Sequence, residues 1–364
     1  MKLVSFEVAS PFGAVRRIGA VLDVDLSQDS RILDLNAGYG QLLRDRGDTR
    51  WREIADAALP SDMQAFLEGG SHAMDRAREA LDFARHDGEA GADRQLVFSR
   101  GAVKLLSPLP RPRTLRDFSE YEEHMTARSG LTQKQPGFYH FACCYKGNPD
   151  MVFGPDDPIV WPDYTERMDP ELELACVVGR SGKNLTPEEA ADYIAGYLIF
   201  CDGSARDMAG KEYLGPYKMK DFGTNLGPCL VTPDEIGDEM NLRCSLKVNG
   251  ETWYEGNTGW KRNYTMPQLL AYASDEEQIN PGDVISAGTI GLSCSIDSGR
   301  WPKPGDVIEQ WIENIGTMTM RCERQPREFS YVRDGLPGLL PLPPGAEDFP
   351  ERLKDGTADV RRMF

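Results

Sequence analysis

The sequence predicts an α+β protein. A mixed β-rich domain of roll- or barrel-like form over residues 111–364 follows a smaller N-terminal α+β domain over residues 1–110. Three observations carry this reading. The string Leu106-Ser-Pro-Leu-Pro-Arg-Pro112 is a stiff, proline-rich bridge between parts of different character. Upstream of it, the longest patterned stretch has a helical apolar period. Downstream, from Leu115 on, short strand-like runs alternate with Gly and Pro punctuation. With 364 residues, the chain can bury roughly 75% of the surface its unfolded form exposes, so a large core is available.

The elements follow in order. Residues 4–8 and 17–24 have short β-like patterns, the second beside the polar turn Ser27-Gln-Asp-Ser30. Residues 51–58 and 63–84 read as helices. In the second, apolar side chains at 63, 66, 67, 73, 77, 80, 81 and 84 fit a 3.6-residue period rather than strand alternation. The acidic string Asp87-Gly-Glu-Ala-Gly-Ala-Asp93 reads as a loop. Beyond the bridge, strands are predicted at 171–178, 197–201, 242–248, 284–287 and 307–312. Thr186-Pro187-Glu188-Glu189 opens one clear helix, with Thr at the N-cap, Pro at N1 and Glu at N3 in the capping-box arrangement. Asn249-Gly250 suits a type I′ hairpin. Pro281-Gly-Asp283-Val-Ile and Pro304-Gly-Asp306-Val-Ile repeat a turn-into-strand unit, and both are expected to feed one mixed β-fold. The Pro-rich, charged tail after Arg327 reads as a wrapping or loosely held extension.

Charge narrows the partners. Lys and Arg number 41 against 58 Asp and Glu, a net charge of −17. That field repels phosphate backbones and anionic lipid, so nucleic acid and membrane surfaces are excluded as expected partners. The densest basic stretch, Arg111-Pro-Arg113-Thr-Leu-Arg116, belongs to the bridge. Eight cysteines show no Cys-x-x-Cys spacing, and several sit in apolar runs such as Ala175-Cys176-Val177-Val178. Buried reduced thiols explain them better than disulfides or zinc ligation. No signal-peptide pattern opens the sequence and no run reaches membrane-span length, so a cytoplasmic location is expected.

Carboxylates carry the most informative contradiction. In Glu171-Leu-Glu173-Leu-Ala-Cys-Val-Val the two glutamates project from one side of a strand that is otherwise apolar. Three carboxylates about 6 Å apart would repel by roughly 8 kcal/mol at an effective dielectric near 20, a cost that a divalent cation removes. An isolated Glu-x-Glu fits a solvated edge strand equally well. Asp202 then closes a second apolar strand, Ile199-Phe-Cys-Asp202-Gly-Ser-Ala-Arg206-Asp207, where a small-residue turn is expected to aim Arg206 back at it. An Asx-turn with a salt bridge is the alternative there. Among four histidines, His124 lies seven residues after Asp117, two turns of a helix-like segment, so both are expected to face one cavity. In Lys218-Met-Lys220-Asp-Phe-Gly223-Thr224, Lys220 and Thr224 offer a cation and a hydroxyl to a developing oxyanion.

Taken in order, the strings Asp117…His124, Glu171-x-Glu173, Asp202-Gly-Ser-Ala-Arg206-Asp207, Lys220-x-Phe-x-Thr224 and Pro281-Gly-Asp-Val-Ile…Gly288-Thr289 resemble the fumarylacetoacetate hydrolase family over about residues 115–321. The resemblance implies a mixed β-roll catalytic fold, a bound Mg²⁺, Mn²⁺ or Ca²⁺ ion and a homodimer. By position it implies metal ligation by Glu171, Glu173 and Asp202, with Asp117 as a fourth ligand, and His124 as general base. Arg206 and Lys220 would stabilise an oxyanion, while Tyr145, Thr224 and Thr289 would contact substrate. The sequence departs from the family pattern twice. Ala209 stands where many relatives have a glutamine donor, and such a loss costs about 10²–10³-fold in other enzymes. No residue of the string 288–297 obviously matches the acidic partner of the histidine, which leaves Glu123 and Asp297 as candidates.

An all-oxygen ligand set suits a hard cation rather than zinc. The expected activity is metal-assisted hydrolysis of a carbon–carbon bond in a 1,3-dicarbonyl substrate, such as an acylpyruvate or β-diketo acid. Water would be activated by His124, and the leaving carbanion would depart as an enolate. Decarboxylation, isomerisation, or lyase or dehydratase chemistry on a 2-keto acid would use the same site. A metal-binding protein without activity is the non-enzymatic alternative. Specificity is expected to come from residues 131–155, with Phe138, Tyr139 and Tyr145, and from residues 253–260.

Overall fold

The structure, a computed structural model, describes residues 1–86, 96–127, 134, 136–209, 211–212 and 215–335. The acidic loop expected at 87–93 and the tail beyond 335 lie outside the described residues. The first part of the chain supplies strands β1 (Lys2–Ser10), β2 (Gly13–Val21), β3 (Arg31–Asp34), β4 (Val97–Ser99) and β5 (Lys104–Leu105). Its helices are α1 (Leu35–Asp45), α2 (Trp51–Ala58), α3 (Met63–Glu68) and α4 (Gly70–His86). After the proline-rich bridge come β6 (Thr114–Phe118), α5 (Glu122–Ala127), β7 (Cys144–Gly147), β8 (Val152–Phe153), β9 (Ile159–Trp161) and β10 (Met168–Val178). They are followed by α6 (Pro187–Ala191), β11 (Ile194–Ala205), α7 (Tyr217–Lys220), β12 (Thr224–Val231), α8 (Pro233–Ile236), β13 (Arg243–Val248) and β14 (Glu251–Asn257). The last elements are α9 (Met266–Ser274), β15 (Asp283–Thr289), α10 (Ser295–Ser298), β16 (Val307–Ile312), β17 (Gly316–Arg324) and α11 (Tyr331–Asp334).

The strands form two sheets. The larger has twelve strands in the order β4-β3-β2-β1-β12-β11-β10-β15-β6-β7, with β5 added on β1 and β8 on β12. The smaller runs β14-β13-β16-β17-β9. Strand β1 pairs antiparallel with β12, Lys2 opposite Val231, so residues on both sides of the bridge share one sheet. The ends of the larger order, β4 and β7, do not pair with each other, so the fold is α+β with a mixed sheet but no closed barrel among the described residues. The two Pro-Gly-Asp units turn through Gly282 and Gly305, both at positive φ, yet they feed different sheets, β15 in the larger and β16 in the smaller. A turn fixes only the local reversal; hydrogen-bond register then decides which sheet receives the strand.

Two cores result from strand alternation. Leu172, Leu174, Cys176 and Val178 of β10 face the smaller sheet, where they meet Leu246, Ile308, Ile312 and Met318. Ala175 and Val177 face the other way, beneath Leu42, Leu43, Phe66 and Leu81 of the helical layer. Asp34 and Asp62 cap α1 and α3 through the backbone amides of Ala37 and Ala65. Thr186 and Glu189 form the expected capping box on α6, and Thr265 with Gln268 forms another on α9. The single helix expected over 63–84 is two helices, because Gly70 takes φ +58° and breaks the run after Gly69. Helix α1 escaped the periodicity because Gly38 and Gly40 interrupt its apolar face. A Cβ at Gly38 would come within 2.9 Å of Leu33, so close packing selects glycine there. Asn249 and Gly250, both at positive φ, close the β13–β14 hairpin as expected. Six cysteines are buried, Cys143 and Cys144 are exposed, and all eight are free. No helix among the described residues is long and apolar enough to cross a membrane.

Candidate functional site

The site grows from one face of β10 and its neighbours. On the face that carries Ala175 and Val177, the next side chains toward the N-terminus are Glu173, Glu171 and Asp169. Register then aligns carboxylates and hydroxyls across the sheet. Glu171 lies opposite Asp202 of β11, Asp202 opposite Thr224 of β12, and Glu173 opposite Thr289 of β15. Ser286 of β15 lies opposite Asp117 of β6, and Asp117 opposite Tyr145 of β7. Six adjacent strands thus place Asp117, Tyr145, Glu171, Glu173, Asp202, Thr224 and Thr289 in one row, all but Tyr145 classed as buried.

Carboxylate oxygens of Asp117, Glu173 and Asp202 lie within 4.8 Å of one another. At an effective dielectric near 20 each such pair repels by about 3.5 kcal/mol, so the cluster needs protons or a cation. Burial first, and then the charges of the neighbouring carboxylates, push Asp117 and Glu173 well above the usual carboxylate range. Asp202 is raised too, by burial against the opposing pull of Lys220. Glu171 behaves oppositely. Burial would raise it, yet the Arg206 and Lys220 charges hold it well below its ordinary value.

Hydrogen bonds fix the row in place. The Tyr145 hydroxyl donates to Asp202 Oδ2 at 2.5 Å, and the Ser204 hydroxyl to Glu171 Oε2 at 2.9 Å. Ser286 and Thr289 both donate to Glu173, the latter at 3.2 Å. Lys220 Nζ bridges Glu171 and Asp202, and Arg206 binds Glu171 through Nη2 and Asp169 through Nε at 2.8 Å. Asp117 Oδ1 and Asp202 Oδ1 are buried without a hydrogen-bond partner. Orphaned carboxylate oxygens at the centre of a convergent all-oxygen set fit a hard divalent cation.

A second chain of contacts sets the histidine. Asp169 accepts from the backbone amides of Ser295 (2.6 Å) and Ile296 (3.2 Å), which anchors α10 to β10. Helix α10 in turn presents Asp297, whose Oδ2 lies 2.8 Å from His124 Nδ1. The other ring nitrogen, Nε2, faces Glu171 Oε1 at 3.5 Å. Asp297 is therefore the acidic partner that the sequence left open between it and Glu123.

Several expectations need correction. Asp117 and His124 do not share a helix: Asp117 lies in β6, which ends at Phe118, the chain turns through residues 119–121, and His124 lies on α5. Sheet and helix packing, not helical periodicity, brings His124 to the row, where its Nε2 faces Glu171 at 3.5 Å. The Gly203-Ser204-Ala205 stretch is not a turn but the continuation of β11. A Cβ at Gly203 would sit 2.7 Å from the Gly223 carbonyl oxygen, so glycine lets β12 pack closely and the strand run on until Arg206. Asp207 points away from the row and clamps the Glu166 and Arg167 amides ahead of β10. Thr289 spends its hydroxyl on Glu173, and Thr224 stands buried opposite Asp202. Of the expected specificity segments, Tyr139 packs against α5 and bonds Glu122, whereas residues 255–257 and Trp260 line a separate groove of about 790 Å³ on the smaller sheet. Asp169, Ser204, Ser286 and Cys294 were missed. Only Asp169 had a local signal, since Asp169-x-Glu171-x-Glu173 extends the same-face alternation by one step.

A family model described as "Fumarylacetoacetate (FAA) hydrolase C-terminal" matches residues 113–323. The chain is 32% identical over 326 residues to oxaloacetate tautomerase fahd2, mitochondrial, of Xenopus laevis, covering 88% of this chain and 89% of that protein. It is 30% identical over 314 residues to human oxaloacetate tautomerase FAHD2A, mitochondrial, covering 84% and 88%. Among solved structures it resembles maleylpyruvate hydrolase from Sphingobium sp. SYK-6, in complex with manganese (II) ion and pyruvate, with a TM-score of 0.62 at 22% identity over 89% of this chain and 99% of that one. The 5-carboxymethyl-2-hydroxymuconate delta-isomerase from Mycobacterium smegmatis aligns with a TM-score of 0.60 at 21% identity over 90% of this chain and 100% of that one. The matched region contains the whole carboxylate row and the histidine with its aspartate, and the chain belongs to the fumarylacetoacetate hydrolase family.

Proposed function

We propose that this chain is an enolate-forming enzyme for a short 2-oxo acid with a second carbonyl group β to the first, and that it interconverts the keto and enol forms of an oxaloacetate-like diacid. The observation that carries the reading is the single oriented imidazole: His124 is tied through Nδ1 to the buried carboxylate of Asp297 while Nε2 faces the carboxylate row. Relatives named oxaloacetate tautomerases support the choice of substrate class.

A hard divalent ion, Mg²⁺ or Mn²⁺, held by Asp117, Glu173 and Asp202 with Glu171 beside them, supplies Lewis-acid polarisation of a carbonyl oxygen when bound. The protein's own groups do the rest. His124 Nε2 takes the proton from the carbon between the two carbonyls, the C–H electron pair becomes the enolate double bond, and the same nitrogen returns the proton to oxygen. Asp297 holds the ring with Nδ1–H pointing away from substrate and stabilises the imidazolium formed in passing. Lys220 and Arg206 give the row two buried cations that offset the charge developing on oxygen. Ala209 adds no donor to them, which suits proton transfer better than a tetrahedral oxyanion.

Hydrolytic carbon–carbon cleavage is the second reading, favoured by the same His124–Asp297 pair, which can equally activate water. With Mg²⁺ or Mn²⁺ present, the purified protein should speed the decay of the oxaloacetate enol absorbance without releasing pyruvate. His124→Asn should lower kcat/KM by about 10²–10⁴-fold. Cleavage of acylpyruvates with labelled water oxygen entering a product carboxylate, and no effect on enol decay, would replace the first reading by the second.

A further inference from the structure

We infer that Asp169 is the positioning residue of the site, one buried carboxylate that holds the carboxylate row and the histidine's aspartate at a set separation. Asp169 is fully buried on β10, two residues before Glu171. Its Oδ1 accepts from the Ser295 amide at 2.6 Å. Its Oδ2 accepts from the Ile296 amide at 3.2 Å and from Arg206 Nε at 2.8 Å. Two limbs leave this carboxylate. Through Arg206 the first reaches Glu171, and Lys220 continues it to Asp202. Acid and base alternate along that path, from Asp169 through Arg206, Glu171 and Lys220 to Asp202, and all five residues are buried. Through the two amides the second limb reaches α10, whose Asp297 holds His124.

Helix α10 depends on this contact. It is four residues long, and its N-cap residue, Cys294, supplies no side-chain bond. A helix that short is unstable alone and leaves its first amides without intrahelical partners. Asp169, 126 positions earlier in the chain, accepts from two of them. The loop ahead of α10 is held separately: the Ile290 amide and the Ser293 hydroxyl donate to the Leu172 carbonyl at 3.0 and 3.2 Å. Losing the Asp169 contact therefore frees the direction of α10 while the loop stays on β10. Asparagine cannot replace the aspartate. An ionised carboxylate accepts on both oxygens, whereas an amide keeps one acceptor and turns its NH₂ toward another N–H donor. Misplacing a catalytic group by about 1 Å can cost about 10²-fold in rate. The strand that carries Glu171 and Glu173 thus also sets how far the imidazole stands from them.

The effect on turnover rests on His124 carrying the proton; the positioning itself does not. In Mg²⁺-saturated protein, His124 Nδ1–H donated to Asp297 should give a far-downfield proton resonance that His124→Asn removes. Asp169→Asn should shift that resonance or broaden it away. It should also lower kcat for enol decay about 10²-fold with KM within about threefold. Mn²⁺ affinity should fall far less than in Glu173→Gln, because the hydrogen bonds of Asp169 go to Arg206 and α10. Asp169→Glu keeps the charge on Arg206 paired and moves the oxygens by one carbon–carbon bond. It should lie between the parent and Asp169→Asn in both resonance and kcat, and it decides the matter where asparagine does not fold. No downfield resonance in the parent, or a parental resonance in the folded Asp169 variants, overturns the inference. So does a loss of turnover that only follows a matching loss of Mn²⁺ affinity. A displaced resonance with turnover intact keeps the positioning and overturns the role given to His124.

Discussion

Asp297→Asn should lower kcat/KM by about 10²–10⁴-fold with little change in KM. The amide cannot stabilise the imidazolium and can hold the ring in the wrong tautomer. The structural basis is narrow: Asp297 is buried, its Oδ2 makes the 2.8 Å contact with His124 Nδ1, and its Oδ1 has no hydrogen-bond partner. Asp297→Glu should recover part of the loss, because the charge is kept while its position shifts. Steady-state kinetics on enol decay measures both. A loss confined to KM, or one smaller than about threefold, would show that His124 works without its aspartate.

Glu171→Gln and Glu173→Gln should have opposite effects on the metal-free protein, although the two residues are neighbours on one strand face. Glu171 neutralises Arg206 and Lys220, all three buried, and removing its charge leaves those cations uncompensated at a cost of about 3–5 kcal/mol. Glu173 instead repels Asp117 and Asp202, so its neutral amide should leave the melting temperature unchanged or raise it at alkaline pH. Glu173→Gln should also lose most of the melting-temperature gain that Mg²⁺ or Mn²⁺ gives the parent.

The parent's own gain should grow with pH. The folded-state values of Asp117, Glu173 and Asp202 are raised, so their protonated forms stabilise the metal-free fold at low pH and that contribution drains away as pH rises through the folded values. A divalent ion competes with those same protons and binds more tightly as they leave. At about a thousand times its dissociation constant an ion adds about 4.1 kcal/mol. Thermal melts with and without metal across a pH series give the increment directly; one that shrinks toward alkaline pH would contradict the raised values.

Much of the site was legible because strand alternation is a local rule. Glu171 and Glu173 do share a face, as their positions in an apolar run required, and Asp202 lies opposite Glu171 on the neighbouring strand, although that strand runs on past it to Ala205. The capping box at Thr186 and the turn at Asn249-Gly250 follow from side chains within four residues of each other. The helix inferred from Asp117 to His124 failed because seven-residue spacing also fits a strand end followed by a turn. The α1 helix was hidden because its glycines answer to Leu33 and Trp51, which the helical period does not see.

By itself the sequence determined the alternation of β10, the capping box of α6, the Asn249-Gly250 turn, the excess of carboxylates and the order of motifs that marks the family. These depend on residues close along the chain, whose geometry is set by backbone sterics and hydrogen-bond spacing. Only the tertiary structure decided that Asp297 serves His124, that Asp169 ties β10 to α10, that Cys294 touches the imidazole, and that the two Pro-Gly-Asp strands enter different sheets. Those outcomes join residues as much as 173 positions apart, and such pairs are chosen by sheet register and packing, which no local pattern specifies.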